Sequence, residues 1–285
     1  MNLLIKRNRI AVEKKTLIMG ILNVTPDSFS DGGKFVDISL AVAHAREMIA
    51  YGADIVDIGG ESTRPGAEKI SADEELSRVI PVIVEIRKQL GPDITLSIDT
   101  YKAIVAKEAV TEGVNIINDV SGLQLDKEMP KVVAEVGVPV IINHMRGIPK
   151  TMQEGKITYN DVIQDISNFF IQQIALLEKY GVSKDAIILD PGFGFGKTVE
   201  QNIEMIQRLG EFKKFHRPLL IGVSRKSTIE KILSEELDSP VNTEERLEGS
   251  LAAMAGAVLH GANIVRVHDI LETRKFLAVL DRIKI

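Results

Sequence analysis

The chain contains no cysteine. That absence excludes disulfides, thiolate metal sites and a cysteine nucleophile. Aromatic residues are scarce, 5% of the 285 residues, so a core must be built from aliphatic side chains, which the 45% apolar composition supplies. No run approaches the roughly 18 apolar residues of a membrane span, and the apolar part of Met1-Asn2-Leu3-Leu4-Ile5-Lys6 is too short for a signal peptide. His44, His144, His216, His260 and His268 lack metalloprotease zinc spacing. A formal net charge of −5 gives no reason to expect a nucleic-acid partner. It also makes any local gathering of cations more telling, because an anionic substrate would have to find that patch. The expectation is a cytoplasmic protein with no membrane partner. No repeat, linker or low-complexity segment divides it, so residues 1–285 are expected to form a single domain.

What is present is a recurring pattern: a short apolar run that ends abruptly in polar residues. Leu17-Ile18-Met19-Gly20-Ile21-Leu22 stops at Asn23, Asp54-Ile55-Val56-Asp57-Ile58 at Gly59-Gly60-Glu61, and Ile94-Thr95-Leu96-Ser97-Ile98 at Asp99. Asn115-Ile116-Ile117 gives Asn118-Asp119, Val138-Pro139-Val140-Ile141-Ile142 gives Asn143-His144, and Ala186-Ile187-Ile188-Leu189 gives Asp190. Leu219-Leu220-Ile221-Gly222-Val223 leads to Ser224-Arg225-Lys226, and Asn263-Ile264-Val265 to Arg266 and His268. Eight buried strands with polar C-terminal ends describe an α/β fold, the (β/α)8 or TIM barrel, with its active site on that face. A doubly wound open sheet is the alternative. It gathers its ligand groups at one switch point, whereas here nearly every strand end carries them.

Helical periodicity fills the intervals 37–51, with Asp37 as N-cap, then 72–90, 100–112, 126–136, 159–180, 199–209, 243–259 and 271–283. Residues 1–14 alternate weakly about Arg7-Asn8-Arg9 and read as a short N-terminal hairpin, a piece that can plug the bottom of a barrel. The connections 23–34 and 59–71 are long for βα units and are rich in Asp, Ser, Thr and Arg. They read as lids, with mobile surface loops as the bland alternative.

Asp99 and Asp190 are carboxylates at the mouth of an apolar barrel and need a partner with donors to spare. An amino group beside a ring N–H would match them bidentately, with Asn118 adding an amide. Either aspartate reads equally as a helix cap. Asp190-Pro191-Gly192-Phe193-Gly194-Phe195-Gly196-Lys197-Thr198 misses the phosphate-loop pattern by one position, because Pro191 stands where glycine is required. It reads instead as a loop that brings backbone and Phe195 close to a flat ligand, with packing as the other reading of its two phenylalanines. Arg266 and His268 lie near Asn23 on the adjoining strand and would form an anion pocket. The amide oxygen of Asn23 suits a Mg2+ that arrives with a diphosphate, with hydrogen bonding to loop backbone as the alternative. Taken singly, Lys197, Arg225 and Lys102 read equally as a solvated basic edge.

Together these stretches resemble the dihydropteroate synthase family. The long and specific ones are Met19-Gly-Ile-Leu-Asn23-Val-Thr-Pro-Asp27-Ser-Phe29-Ser-Asp31-Gly-Gly33 and Asp57-Ile-Gly-Gly-Glu61-Ser-Thr63-Arg64-Pro65-Gly66. Ser97-Ile-Asp99-Thr, Asn118-Asp-Val-Ser-Gly122, the glycine-rich loop, Ser224-Arg225-Lys226-Ser227 and Arg266-Val-His268-Asp269 follow in family order. No departure stands at a functional position. The resemblance implies a homodimeric barrel that joins 6-hydroxymethyl-7,8-dihydropterin diphosphate to 4-aminobenzoate and releases pyrophosphate, with Mg2+ at Asn23. It implies that Asp99, Asn118, Asp190 and Lys226 hold the pterin over Met145, and that Asn23, Arg266 and His268 hold the diphosphate. Phe29, Thr63, Arg64, Pro65, Phe195 and Ser227 would line the aminobenzoate pocket, and Asp31 would stabilise charge during the reaction. Three alternatives stand beside it: a methyltetrahydrofolate:corrinoid methyltransferase, a non-catalytic pterin-binding paralogue, and an aldolase-like barrel using Lys226 as a Schiff base.

Overall fold

Val- and Ile-rich runs suit strands that are covered on both faces, as a parallel barrel requires. The computed structural model describes residues 2–5, 8–11, 15–25, 34–62, 66–147, 152, 155 and 157–284; of residues 2–5, 8–11 and 34–37 it describes the backbone alone. An antiparallel hairpin of β1 (Asn2–Ile5) and β2 (Asn8–Ala11) comes first, as expected. Its first strand lies beside the 3-10 turn Lys184–Ala186, which enters a barrel strand from the N-terminal end. The barrel strands are β3 (Leu17–Asn23), β4 (Ile55–Gly59), β5 (Leu96–Asp99), β6 (Ile116–Asp119), β7 (Val140–Asn143), β8 (Ile187–Asp190), β9 (Leu220–Ile221) and β10 (Ile264–Val267). They pair in parallel in the order β8-β7-β6-β5-β4-β3-β10-β9. A parallel bridge between Leu189 and Leu219 joins β8 to the residues entering β9 and closes the ring. The expected (β/α)8 barrel is therefore the observed architecture.

The helices are α1 (Lys34–Ala50), α2 (Ala72–Leu90), α3 (Ala103–Thr111), α4 (Met129–Val136), α5 (Val162–Lys179), α6 (Val199–Gln207), α7 (Ser227–Glu236), α8 (Leu247–Leu259) and α9 (Ile270–Ile283). Local chemistry sets their ends. Ser71 caps α2 by accepting from the Glu74 N–H, Asp161 caps α5 through the Ile163 and Gln164 N–H groups, and Thr198 with Gln201 forms a capping box at α6. Asp37 is not the N-cap expected of it, because α1 begins three residues earlier at Lys34. The sequence pattern also passed over α7. Its apolar stripe is short, only Thr228 and Ile229 are buried, and it starts directly after the polar Ser224-Arg225-Lys226 segment. Since α8 packs against both α6 and α9, α8 takes the seventh place in the ring, and α7 is an added helix in the β9–β10 connection. Among the described residues no helix is long and apolar enough to cross a membrane.

Side chains alternate along each strand, and this divides the core in two. Leu17, Met19, Ile55, Ile116, Ile141, Ile188, Leu220 and Ile264 point inward and fill the barrel as one cluster. Outward neighbours such as Ile18, Val56, Ile98, Ile117, Ile142 and Val265 join the larger layer beneath the helices. Toward the C-terminal ends, the same inward positions become Asn23, Asp57, Asp99, Asn118, Asn143, Asp190 and Arg266. The apolar filling thus carries a polar floor.

Candidate active site

The floor is organised around one guanidinium. Arg266 donates through Nε to Asp57 Oδ2 at 2.6 Å and through Nη2 to Asp99 Oδ2 at 2.6 Å, spanning the mouth from β10 to β4 and β5. Asn118 Nδ2 donates to the same Asp57 oxygen at 3.0 Å. The second oxygens, Asp57 Oδ1 and Asp99 Oδ1, are buried without a protein partner. Burial pushes the Asp99 carboxyl up to about 7, against the pull of Arg266 and with the help of Asp57. Burial works to lower the Arg266 guanidinium, but Asp57 and Asp99 hold it above its ordinary range. Gly59 stands between Asp99 and Asn23: a Cβ added there would lie 3.6 Å from Asp99 Cβ and 3.7 Å from Asn23 Oδ1.

On the other side of the mouth, Asp190 ends β8 and accepts from the Gly192 N–H at 2.8 Å. Burial raises its carboxyl, opposed by Lys226. Lys226, the residue before α7, donates to the Phe193 carbonyl and lies 4.2 Å from the centre of the Phe195 ring. Desolvation brings its ammonium down to about 8. Arg225 ahead of it takes a left-handed φ of 56°, a conformation that costs a non-glycine residue energy. Its N–H donates to Ser250 Oγ, its carbonyl accepts from Arg246, and its guanidinium pairs with Asp269, which together hold the bend that delivers Lys226. His268 Nδ1 lies 3.0 Å from Ser224 Oγ, one residue past β10 and on the Arg266 side of the alternation.

The stem of the second long connection is anchored in the same way. Lys102 pairs with both Glu61 and Glu75, and the Tyr101 hydroxyl donates to Glu61 at 3.0 Å. Arg78 Nη1 donates to the Gly60 carbonyl at 2.8 Å, and Gly60 is so close to α2 that a Cβ would press on Val79 and Glu75.

Of the residues expected from sequence, Asn23, Asp99, Asn118, Asp190, Lys226, Arg266 and His268 all belong to this mouth, with Met145 buried next to His144 and Ser227 exposed at the first turn of α7. Phe195 is half-buried beside Lys226, whereas Phe193 is fully buried packing. Phe29, Asp31, Thr63, Arg64 and Pro65 lie outside the described residues. Neither aspartate caps a helix: the residue before α3 is Lys102, and Thr198 caps α6. Nor are Lys197, Arg225 and Lys102 a solvated edge, since each is engaged by carbonyls or carboxylates. Lys226 is engaged by a carbonyl and a ring face, contacts that favour its ammonium form. Asp57 was missed as a site residue. The signal was there: it is the one carboxylate inside an apolar strand run, two residues after inward Ile55 and two before Gly59, so alternation points it into the mouth.

Known proteins are similar to this chain in sequence and fold. The model of the family described as "Pterin binding enzyme" matches residues 19–268. The dihydropteroate synthase of Escherichia coli (strain K12) is 47% identical over 264 residues, covering 93% of this chain and 90% of that protein. A crystal structure of dihydropteroate synthase from Clostridium difficile in the presence of pteroic acid superposes with a TM-score of 0.88 at 47% identity, covering 96% of this chain and 98% of the other. The Xanthomonas albilineans dihydropteroate synthase with 4-aminobenzoic acid gives 0.89 at 38% identity, covering 99% and 97%. By family match and by identity alike, the chain belongs to the pterin-binding enzymes.

Proposed function

We propose that this chain catalyses the dihydropteroate synthase reaction, the condensation of 6-hydroxymethyl-7,8-dihydropterin diphosphate with 4-aminobenzoate, as a step in folate synthesis. The observation that carries the reading is the floor itself: inward-facing Asp99, Asn118 and Asp190 gathered with Arg266 and His268 in one barrel mouth. The pterin ring presents an amino group beside a ring N–H, which Asp99 Oδ1 can accept while Asp99 Oδ2 stays on Arg266. Asn118 and Asp190 complete the ring's edge, Lys226 donates to it, and Met145 supports its face. Arg266 spends two of its five N–H donors on carboxylates and keeps the rest for the diphosphate, joined by His268 and Asn23.

The chemistry asks little of the protein beyond position and charge. The C–O bond between the pterin methylene and the diphosphate breaks, and its electron pair leaves with pyrophosphate. The arylamine lone pair then forms the new C–N bond, and the amine proton passes to solvent. Because the arylamine is already a nucleophile, no covalent enzyme intermediate is needed. Arg266 and His268 offset the negative charge that builds on the leaving group. In this dissociative sequence Asp31 would face the cationic methylene, and Phe29, Thr63, Arg64, Pro65, Phe195 and Ser227 would receive the aminobenzoate.

Among the described residues no group of three or more His, Asp or Glu side chains is arranged to hold a resident cation. The single amide oxygen of Asn23 fits an ion held mainly by substrate oxygens, and Mg2+ bound there would supply further neutralisation of the diphosphate. A homodimer in the cytoplasm is part of the same proposal. It is supported by α8, where Ala252 and Leu259 are exposed and Leu251 and Ala255, packed against the core, are partly exposed, so that an apolar stripe stands where an isolated barrel would carry charge.

The deciding assay is pyrophosphate release from the pterin diphosphate, with and without 4-aminobenzoate and Mg2+. Release that depends on both is expected. Pterin binding without product would sink the reading in favour of a non-catalytic paralogue.

A further inference from the structure

The connection between β8 and α6 is a curled loop in which Gly192, Gly194 and Gly196 take left-handed φ values of 73°, 81° and 66°. Its shape is fixed from outside at three points. Asn202 Oδ1 accepts from the Gly194 N–H at 2.7 Å, Tyr159 donates its hydroxyl to the Gly196 carbonyl at 3.0 Å, and Lys226 donates to the Phe193 carbonyl. The centre of the loop is Lys197. Its ammonium donates to the Gly192 carbonyl at 2.8 Å and the Phe195 carbonyl at 3.3 Å, and lies 3.1 Å from His144 Nδ1. Gly192 and Phe195 are the first and last residues of a tight turn, closed by the Phe195 N–H donating to the Gly192 carbonyl at 3.1 Å. Lys197 therefore ties together both ends of the turn that presents Phe195.

Only 3% of Lys197 is exposed. Its Nζ is enclosed by loop carbonyls and His144, so it does not face the mouth and cannot touch a substrate. A buried cation is costly unless acceptors surround it, and here the loop supplies them. The ammonium occupies the kind of carbonyl-lined hollow in which many proteins hold a metal ion. Desolvation lowers both Lys197, to about 7, and His144, which leaves the imidazole neutral and able to accept.

We propose that Lys197 is a positioning residue for the aminobenzoate subsite: by pinning the turn from Gly192 to Phe195, it fixes the Phe195 ring against Lys226. The wall that receives the arylamine is thereby referenced to the lysine that holds the pterin. This inference rests on the functional reading above, which places aminobenzoate at Phe195.

The test is a double-mutant cycle with Lys197→Met and Phe195→Leu, read as separate KM values for the two substrates. Lys197→Met keeps most of the apolar stem, ending one bond short of the ammonium, and removes the donors. Its KM for 4-aminobenzoate is expected to rise roughly tenfold, the effect of losing one charge-assisted hydrogen bond. Its KM for the pterin diphosphate should stay within about twofold. Adding Lys197→Met to Phe195→Leu should cost little more than Phe195→Leu alone, because the lysine acts through that ring. A lysine that merely stabilised the fold would lower the melting temperature and leave the ratio of the two KM values unchanged; that result would overturn the proposal, as would fully additive effects. Should Lys197→Met not fold, Lys197→Gln serves. Its amide is one bond shorter and cannot tie both carbonyls, so a smaller rise in the same KM is expected, and a wild-type value would count against the inference. An active wild type with unaltered variant KM values sinks the inference alone. An inactive wild type sinks the functional reading and the inference together.

Discussion

Replacing Asp57 by asparagine tests the floor at its most connected point. The side chain is wholly buried, and its Oδ2 receives both Arg266 Nε at 2.6 Å and Asn118 Nδ2 at 3.0 Å. Asp57→Asn keeps the shape and removes the charge. A hydrogen bond to a charged group contributes roughly 1.5–3 kcal/mol, and Arg266 retains its second carboxylate, Asp99. The loss should therefore fall in that range rather than at the roughly 3–5 kcal/mol of a wholly unpaired buried charge. A compensating term runs the other way. Asp57 helps to raise Asp99, so its neutralisation should move the Asp99 titration downward and tighten the remaining Arg266–Asp99 pair. Three readings follow from one variant. Urea unfolding should show a loss of about 1.5–3 kcal/mol. Because each 1.36 kcal/mol is a factor of ten in rate, turnover measured by pyrophosphate release should fall by roughly 10- to 150-fold if the misplaced guanidinium fails the leaving group. The acid limb of the pH–rate profile should shift to lower pH. An Asp57→Asn enzyme with wild-type turnover and an unmoved acid limb would refute the view that Asp57 orients Arg266.

The pH profile of the unmodified enzyme follows from two groups. Asp99 in the folded protein titrates at about 7, above its ordinary 3.8, so the folded state binds the extra proton; its stabilising contribution is complete below that ordinary value and is lost as pH rises through 7. Lys226 titrates at about 8, below its ordinary 10.5, so the unfolded chain binds more protons between these values and stability rises with pH across that window. In the proposed site, pterin binding would use the carboxylate and the ammonium together. kcat/KM for the pterin diphosphate should be bell-shaped, with limbs near 7 and 8; Asp99→Asn should abolish the acid limb and Lys226→Met the alkaline one, and a flat profile would count against both roles. Gly59→Ala meets only ordinary contacts, the nearest at 3.6 Å, so unfolding should change little while turnover drops, because the methyl group stands between Asn23 and Asp99 where the reacting methylene would pass. If that variant turns over normally, the diphosphate is not held on the Asn23 side. Leu251→Glu together with Leu259→Glu on α8 should convert a dimer to a monomer in sedimentation equilibrium, and a wild type that sediments as a monomer would dispose of the dimer proposal.

How much the sequence discloses depends on whether a feature is local. The barrel was legible because every strand is an apolar run with an abrupt polar end, and the polar end is where the inward alternation meets solvent. The span of α2, Ala72–Leu90, was legible from its apolar periodicity, and in the structure Gly91 closes it. By contrast, α7 is short and buries little, and Asp57 sits inside an apolar run instead of at its end. The link from Arg266 to Asp57 and Asp99 joins residues 209 and 167 positions apart. It depends on which strands face one another across a closed ring, and no local pattern carries that. Lys197 shows the converse: taken singly its sequence context reads as a solvated basic edge, while the fold turns its ammonium into the loop.

The guanidinium shared by Asp57 and Asp99 makes the strand floor a closed circuit of mutual counter-ions, and this bears on how such an enzyme can change. Any substitution in the circuit weakens or removes a counter-ion, so it costs stability and the pterin reaction at once. The side chains proposed to meet the amine lie outside that circuit. Selection for a different amine, or against an inhibitor that mimics it, therefore has its freedom in the second connection and around Phe195, and almost none on the strands. Grafting those segments from another member of the family should transfer preference for the nucleophile while the electrophile-generating half of the barrel stays as it is.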